Sequence, residues 1–224
     1  MFVSESTRDD FKHRYGERFR DKSSVLPHGL LPIAPQLDAV PYATAGAPRS
    51  LVFWSTVKPY KGVELFAQLV RSDDIRRRGL SFEICGAWSD ELHGLRDELV
   101  ALGVKVRDRF LDQAEFLDLL NQDALFVLPY QRASQSGALY SLLSHGRMFI
   151  CTDTGDLGAF MRRFGLEGLL LKERSAAAVV ECLDYLDTHR DAVTAAFQRA
   201  QHASRWDRLM AEAGSAYRAP QREL

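Results

Sequence analysis

The order of apolar runs along this chain predicts an α/β fold, a Rossmann-like parallel sheet with helices on both faces. Three observations carry that expectation. Short runs rich in β-branched or aromatic residues recur at 50–54, 81–85, 104–106, 124–128, 148–152 and 169–171. Segments with helical spacing separate them, at 62–71, 90–102, 113–121, 137–145 and 175–186. Runs such as Leu125-Phe126-Val127-Leu128 are apolar throughout, as strands covered on both faces must be. Strand–helix–strand units of this length imply right-handed crossovers and a parallel sheet. Ligands in such sheets bind beyond the carboxyl ends of the strands.

Taken in order, residues 2–4 read as the end of a strand, and Ser6 as the cap of a charged helix running to about Tyr15. Residues 24–29 read as a short strand and a turn. The stretch 30–48 holds Pro32, Pro35, Pro41 and Pro48 with little periodicity, which marks a connector. We therefore expect three parts. Residues 1–45 are the remnant of an N-terminal domain plus a linker, 46–190 the Rossmann-like domain, and 191–224 a C-terminal helix. In that last part Val193, Phe197, Ala200, Trp206, Met210 and Ala213 recur at helical spacing through 191–217, and Pro220 ends the pattern. One apolar face packed on the core explains such a stripe; docking on a partner is the other reading.

Bulk properties narrow the function. Hydrophobic residues are 46% and charged residues 26% of 224, the balance of an ordinary globular domain. A net charge of −1, with no basic stripe among aromatics, argues against nucleic acid as partner. No apolar run approaches the ~20 residues of a membrane span, and the first residues lack the apolar core of a signal peptide. A cytoplasmic protein is expected. Cys85, Cys151 and Cys182 include no Cys-x-x-Cys pair and read as small buried hydrophobes. The six His are scattered without metal-ligand spacing, so no metal is expected.

Two segments concentrate chemistry. Lys58-Pro59-Tyr60-Lys61-Gly62 follows the first strand and puts two cations at a helix start. Leu128-Pro129-Tyr130-Gln131-Arg132-Ala133-Ser134-Gln135-Ser136-Gly137 follows the fourth and ends in a small, polar turn before another helix. Free N–H groups and the helix dipole favour an anion at such a place, and Lys58 and Lys61 add full charge. The pair reads as two jaws around a phosphate-bearing ligand. Lys61 opposes the dipole of the expected 62–71 helix, a placement that makes sense if an anion is bound. A solvated surface lysine is the plainer alternative, more so for Lys58. Ser134 or Ser136 is an N-cap, which is compatible with binding through the remaining N–H groups. Asp153 and Asp156 could accept from a sugar or ribose, although Asp156 is equally a cap for 157–163. His145 sits at a helix end, where its ring suits the last carbonyls. No Ser/His/Asp or Cys/His constellation stands out, and no catalytic residue is assigned.

These residues resemble the donor-nucleotide half of a glycosyltransferase of the GT-B, two-Rossmann-domain architecture, within the large bacterial family 4, "glycosyl transferases group 1". Pro27-His28-Gly29 resembles a linker turn of one branch, and Pro59-Tyr60-Lys61-Gly62 and Leu128–Gly137 its two loops. The runs 82–88 and 152–157 resemble its strand and Gly turn and its Thr-Asp-x-Gly-Gly turn. The resemblance covers about residues 2–190. It implies a C-terminal half, a nucleotide-diphosphate sugar as substrate, no cofactor and no metal, and a retaining transferase in polysaccharide or glycoconjugate biosynthesis. The diphosphate is implied between Lys61, Lys58 and the N–H groups of Ser136, Gly137 and Ala138. The sugar faces Ser134 and Gln135, and the base lies near Gly86, Arg109 and Phe110, mostly on backbone groups. A cytoplasmic place, peripheral at the inner face of a membrane, is implied likewise. Family members carry an N-terminal acceptor domain, and residues 1–29 are expected to be the end of one; that domain or a partner protein is the expected complement.

The chain also departs from the family. Ser55-Thr56 stands where the common pattern has Gly-Arg, and there is no Glu between Glu115 and Glu167, where the pattern has two. These departures fit an alternative, a non-catalytic glycosyltransferase-like module acting through a protein partner. A third reading, an unrelated Rossmann-like protein or epimerase half, lacks the Gly-x-Gly-x-x-Gly fingerprint of dinucleotide binding after the first strand.

Overall fold

The structure, a computed structural model, describes residues 2, 5–16, 23–31 and 47–218. Most of the connector at 30–48, residues 3 and 4, and Pro220 lie outside them. Six strands form one sheet: β1 Ser50–Trp54, β2 Ser81–Cys85, β3 Lys105–Arg107, β4 Ala124–Leu128, β5 Phe149–Thr152 and β6 Leu170–Leu171. Their order is β3-β2-β1-β4-β5-β6, and every pairing is parallel. This is the expected α/β, Rossmann-like fold. The order reverses between β1 and β4, and crossovers leaving in opposite directions open a crevice there.

The helices are α1 Glu5–Tyr15, α2 Leu65–Arg71, α3 Asp73–Arg77, α4 His93–Ala101, α5 Gln113–Leu120, α6 Gly137–Ser144, α7 Gly155–Arg163, α8 Ala176–Ala203 and α9 Trp206–Arg218. Their starts follow from the local sequence. Asp112 accepts from the Glu115 N–H at 2.8 Å while Glu115 reaches back to the Asp112 N–H at 3.1 Å, a complete capping box. Ser72, Ser136 and Ser175 cap α3, α6 and α8 by accepting from the N–H three residues on. Leu51, Phe53, Leu125, Phe126, Val127, Phe149 and Ile150 are fully buried or nearly so, and the core runs along both faces of the sheet. Cys85, Cys151 and Cys182 are free and buried.

Four expectations are corrected. Residues 62–71 are not one helix. Pro59–Lys61 is a 3-10 turn, Gly62 closes it in the left-handed region at φ 71°, and α2 starts only at Leu65. Lys61 therefore ends a turn instead of opposing a helix dipole. α7 begins at Gly155 behind Thr154, which puts Asp156 inside its first turn and not at its cap. α1 begins at Glu5, so Ser6 lies within the helix. The two C-terminal helical patterns are divided elsewhere: α8 runs through a kink at His189 to Ala203, and the break falls at Ser204. The Ser204 carbonyl, between the two helices, accepts from the Leu30 N–H at 3.0 Å.

The N-terminal piece holds α1 and one isolated parallel bridge. Phe2 and Val25 form a parallel bridge through Phe2 N–H to Ser24 O and Leu26 N–H to Phe2 O, both 2.8 Å. α1 connects them and packs against α7. Among the described residues no helix is long and apolar enough to cross a membrane.

Candidate functional site

The two loops that carry the Lys and Ser/Gly residues clasp each other at the carboxyl end of the sheet. The Gln131 N–H donates to Tyr60 O at 2.8 Å, and the Gln131 side-chain amide reaches Glu64 at 3.2 Å. Gly62 makes the approach possible: a Cβ there would lie 2.0 Å from the Pro129 carbonyl oxygen. The second loop is tied in turn to the next one. Thr152 donates its hydroxyl to Tyr130 O, and the Asp156 N–H donates to Ala133 O at 3.1 Å. These backbone contacts fix the Tyr130–Ser136 segment without regular structure.

Tyr130 is the centre of this arrangement. It is 1% exposed, with its ring edge-on to Phe53. The Lys61 ammonium lies over its face, 3.6 Å from the ring centroid, and 5.3 Å from that of Tyr60. Lys61 is itself buried, at 9% exposure. Burial first, then the neighbouring charge of Lys58, lowers the Lys61 amine to about 8. Burial pushes the Tyr130 phenol up to about 12. The Ser55 and Ser136 hydroxyls face that phenol and oppose the shift, although neither makes a hydrogen bond of full geometry with it.

Beside Tyr130 a cleft of about 550 Å³ opens at the reversal of strand order. Trp54, Ser55 and Thr56 line it from the end of β1, Gly86 from the end of β2, and Gly137, Ala138 and Ser141 from α6. Phe110, Asp112 and Phe116 close the opposite wall. Trp54 and Phe116 stack with centroids 3.9 Å apart, while Phe110 is 72% exposed, an aromatic face open to a ligand. Gly86 lets two walls meet, because a Cβ there would lie 1.7 Å from the Ser55 carbonyl oxygen.

The sequence-derived residues fall into three groups. Gly86, Phe110, Gly137 and Ala138 line the cleft. Ser136 is buried at its edge as the cap of α6, and Lys61 packs on Tyr130. Lys58, Ser134, Gln135 and Arg109 are exposed and outside the lining. The Arg109 guanidinium is held by Glu115, Nη1 to Oε2 at 2.6 Å, and donates to Phe110 O at 3.2 Å. That bond, with the Asp112 N–H, holds the Glu115 carboxyl down at about 2. Asp153 pairs with Arg162, and His145 Nδ1 lies 2.8 Å from Ser141 O at the end of α6. Sequence reasoning did not single out Trp54, Ser55, Thr56, Phe116 or Tyr130 as site residues. The position of 54–56 after the first strand was the available signal; the Tyr130–Lys61 contact had none.

Comparison with known proteins places this geometry. The profile of the family "Glycosyl transferases group 1" matches residues 48–188. No curated protein sequence matches significantly. WaaG, a glycosyltransferase involved in lipopolysaccharide biosynthesis, superposes with a TM-score of 0.62 at 14% identity, over 98% of this chain and 62% of its own. Anabaena Alr3699/HepE, solved in complex with UDP and glucose, gives 0.66 at 13%, over 97% and 62%. The pneumococcal O-GlcNAc transferase GtfA, solved with UDP and GlcNAc, gives 0.69 at 13%, over 96% and 44%. At these identities the likeness is one of fold, and the chain spans less than two thirds of each of these structures. The profile covers more than half of the chain: this protein belongs to the glycosyl transferases group 1 family.

Proposed function

We propose that this chain is the donor-binding half of a glycosyltransferase, holding a nucleotide-diphosphate sugar in the cleft at the strand reversal. The observation that carries the reading is the convergence there of the α6 N-terminus, an exposed aromatic wall and, on the adjoining loop, a buried lysine that no carboxylate pairs with among the described residues. The base stacks near Phe110 against the Gly86 turn, and the diphosphate meets the Gly137 and Ala138 N–H groups, with Ser136, Lys61 and Lys58 nearby. Ser134 and Gln135 face the sugar. Charge that develops on the departing diphosphate is stabilised by these fixed dipoles and by the ammonium, with no metal in the scheme. UDP-bound relatives of the same fold support the nucleotide class. Transfer to an acceptor, with retention, in polysaccharide or glycoconjugate synthesis at the inner face of a membrane is the corresponding role. It needs an acceptor-side domain or partner.

Titration calorimetry of the chain against UDP, GDP, ADP and dTDP tests this, with Lys61→Ala alongside. We expect one saturable diphosphate, weakened at least tenfold in Lys61→Ala. Silence from folded protein across the panel sinks the reading. A second reading, a non-catalytic module acting through a partner, is favoured by one observation: among the described residues Asp112 is the only ionisable side chain lining the cleft, and it already caps α5. A stable protein complex with no nucleotide affinity distinguishes it.

A further inference from the structure

Lys61 is a buried cation with no carboxylate paired to it among the described residues. Among the described residues its side chain touches ring faces, and the charge that acts on it, Lys58, is of the same sign. On the facing loop the Arg132 guanidinium lies 5.4 Å from the Tyr60 centroid. Glu64, the acid that follows the turn, is taken by Arg174 at 2.8 Å and by Gln131. A lysine so placed loses its hydration and should discharge, unless something replaces the lost water. The negative face of an aromatic ring does this at close range.

We propose that Tyr130 is a positioning residue: its ring face keeps the Lys61 ammonium charged and aimed between the two loops, where a diphosphate is held. The diphosphate rests on the donor-binding reading above; the pairing of ring and ammonium does not. Three features suit Tyr130 to the task. Its ring is fixed by full burial and by Phe53. Its carbonyl is tied to Thr152, so the backbone cannot carry the ring away. Its hydroxyl end meets Ser55, on the cleft wall, and Ser136, the cap of α6. One side chain thus joins the cation of the first loop to the N–H groups of the second. Tyr60 is the lesser partner, being farther from the ammonium and shared with Arg132.

The test changes the charge on the ring and keeps its shape. Tyr130→Phe and a series of increasingly fluorinated phenylalanines at position 130 are compared by NMR of ¹³Cε-labelled lysine, with Lys61 assigned by its loss in Lys61→Arg. We expect Tyr130→Phe to titrate close to wild type. The most fluorinated ring should lower the Lys61 protonation constant about 3- to 30-fold, the range of a partly desolvated cation–π contact. A midpoint that does not move along the series overturns the proposal, and a shape-conserving series avoids misfolding as an excuse. Calorimetry with UDP, GDP, ADP and dTDP at pH 7 and pH 9 then reads the consequence. The diphosphate that binds Tyr130→Phe should bind the most fluorinated protein about 3- to 30-fold more weakly than it at pH 9, the comparison that leaves the hydroxyl out of both. Wild-type silence to all four overturns the donor reading, and the NMR series still decides the role of the ring.

Discussion

Lys61 holds a folding cost that the rest of the chain must carry. Its amine is lowered to about 8 from the ordinary 10.5, so between those values the unfolded chain binds more protons than the folded one. Stability from this group therefore rises with pH across the window from about 8 to 10.5, and the cost is fully present below it. Lys61→Met, which keeps the stem and removes the charge, should stabilise the protein at pH 7 by on the order of 1–2 kcal/mol, the ammonium keeping a wet edge. It should also flatten the rise above pH 8. Urea melts at pH 7, 8.5 and 10 check both; a destabilised Met variant refutes the idea that burial without an anion is the cause. A lysine kept at such a cost is the signature of a binding group. The sign for ligand is the reverse. An anion binds the charged form, so diphosphate affinity should fall by up to tenfold per unit above about pH 8. Affinity that does not change from pH 7 to 9 removes Lys61 from the anion site.

At the scale of elements, the cleft exists because loops after different strands approach closer than side chains allow. Gly86 is the sharpest case: at φ 146° its absent Cβ would lie 1.7 Å from the carbonyl oxygen of Ser55, whose own N–H is bonded to Cys85 O at 3.1 Å. Gly86→Ala must push β1 and β2 apart at the cleft wall. We expect a loss of about 2–4 kcal/mol, read as a lower urea midpoint, together with loss of nucleotide binding. Gly94→Ala, in open space on α4, is the control and should be neutral or slightly stabilising. Strands such as 50–54, 81–85 and 124–128 were legible in sequence because a run buried on both faces has no polar alternative. The helix at 62–71 was misread because helical spacing continues through Gly62, while the left-handed turn there answers to a carbonyl far along the chain, Pro129 O. The loops of the site were legible as anion-seeking, through their Lys, Ser and Gly content. Their mutual clasp, and Tyr130 as the seat of Lys61, were not, since both depend on contacts between segments about seventy residues apart.

At the scale of the whole molecule, the N-terminal fragment and the last helix reach the cleft through one turn. Trp206, the first residue of α9, donates its indole N–H to Leu30 O at 2.9 Å and packs on Gly29, where a Cβ would lie 2.3 Å from the indole. His28 stacks on Tyr140 of α6 with centroids 4.9 Å apart. Leu31, next along, lines the cleft beside Gly137. The chain of contact thus runs from α9 through 28–31 to the cleft wall, although Trp206 itself lies outside the lining. Trp206→Ala removes a hydrogen bond and a ring contact, about 1–2 kcal/mol, which for a protein of this size lowers Tm by about 2–8 °C. Trp206→Phe keeps a ring and loses only the donor, so its loss should be smaller. Release of the turn should expose residues 23–31 to limited proteolysis and weaken binding in the cleft through Leu31. If both variants bind and resist proteolysis like wild type, the turn is held without Trp206, and α9 is packing without influence on the site.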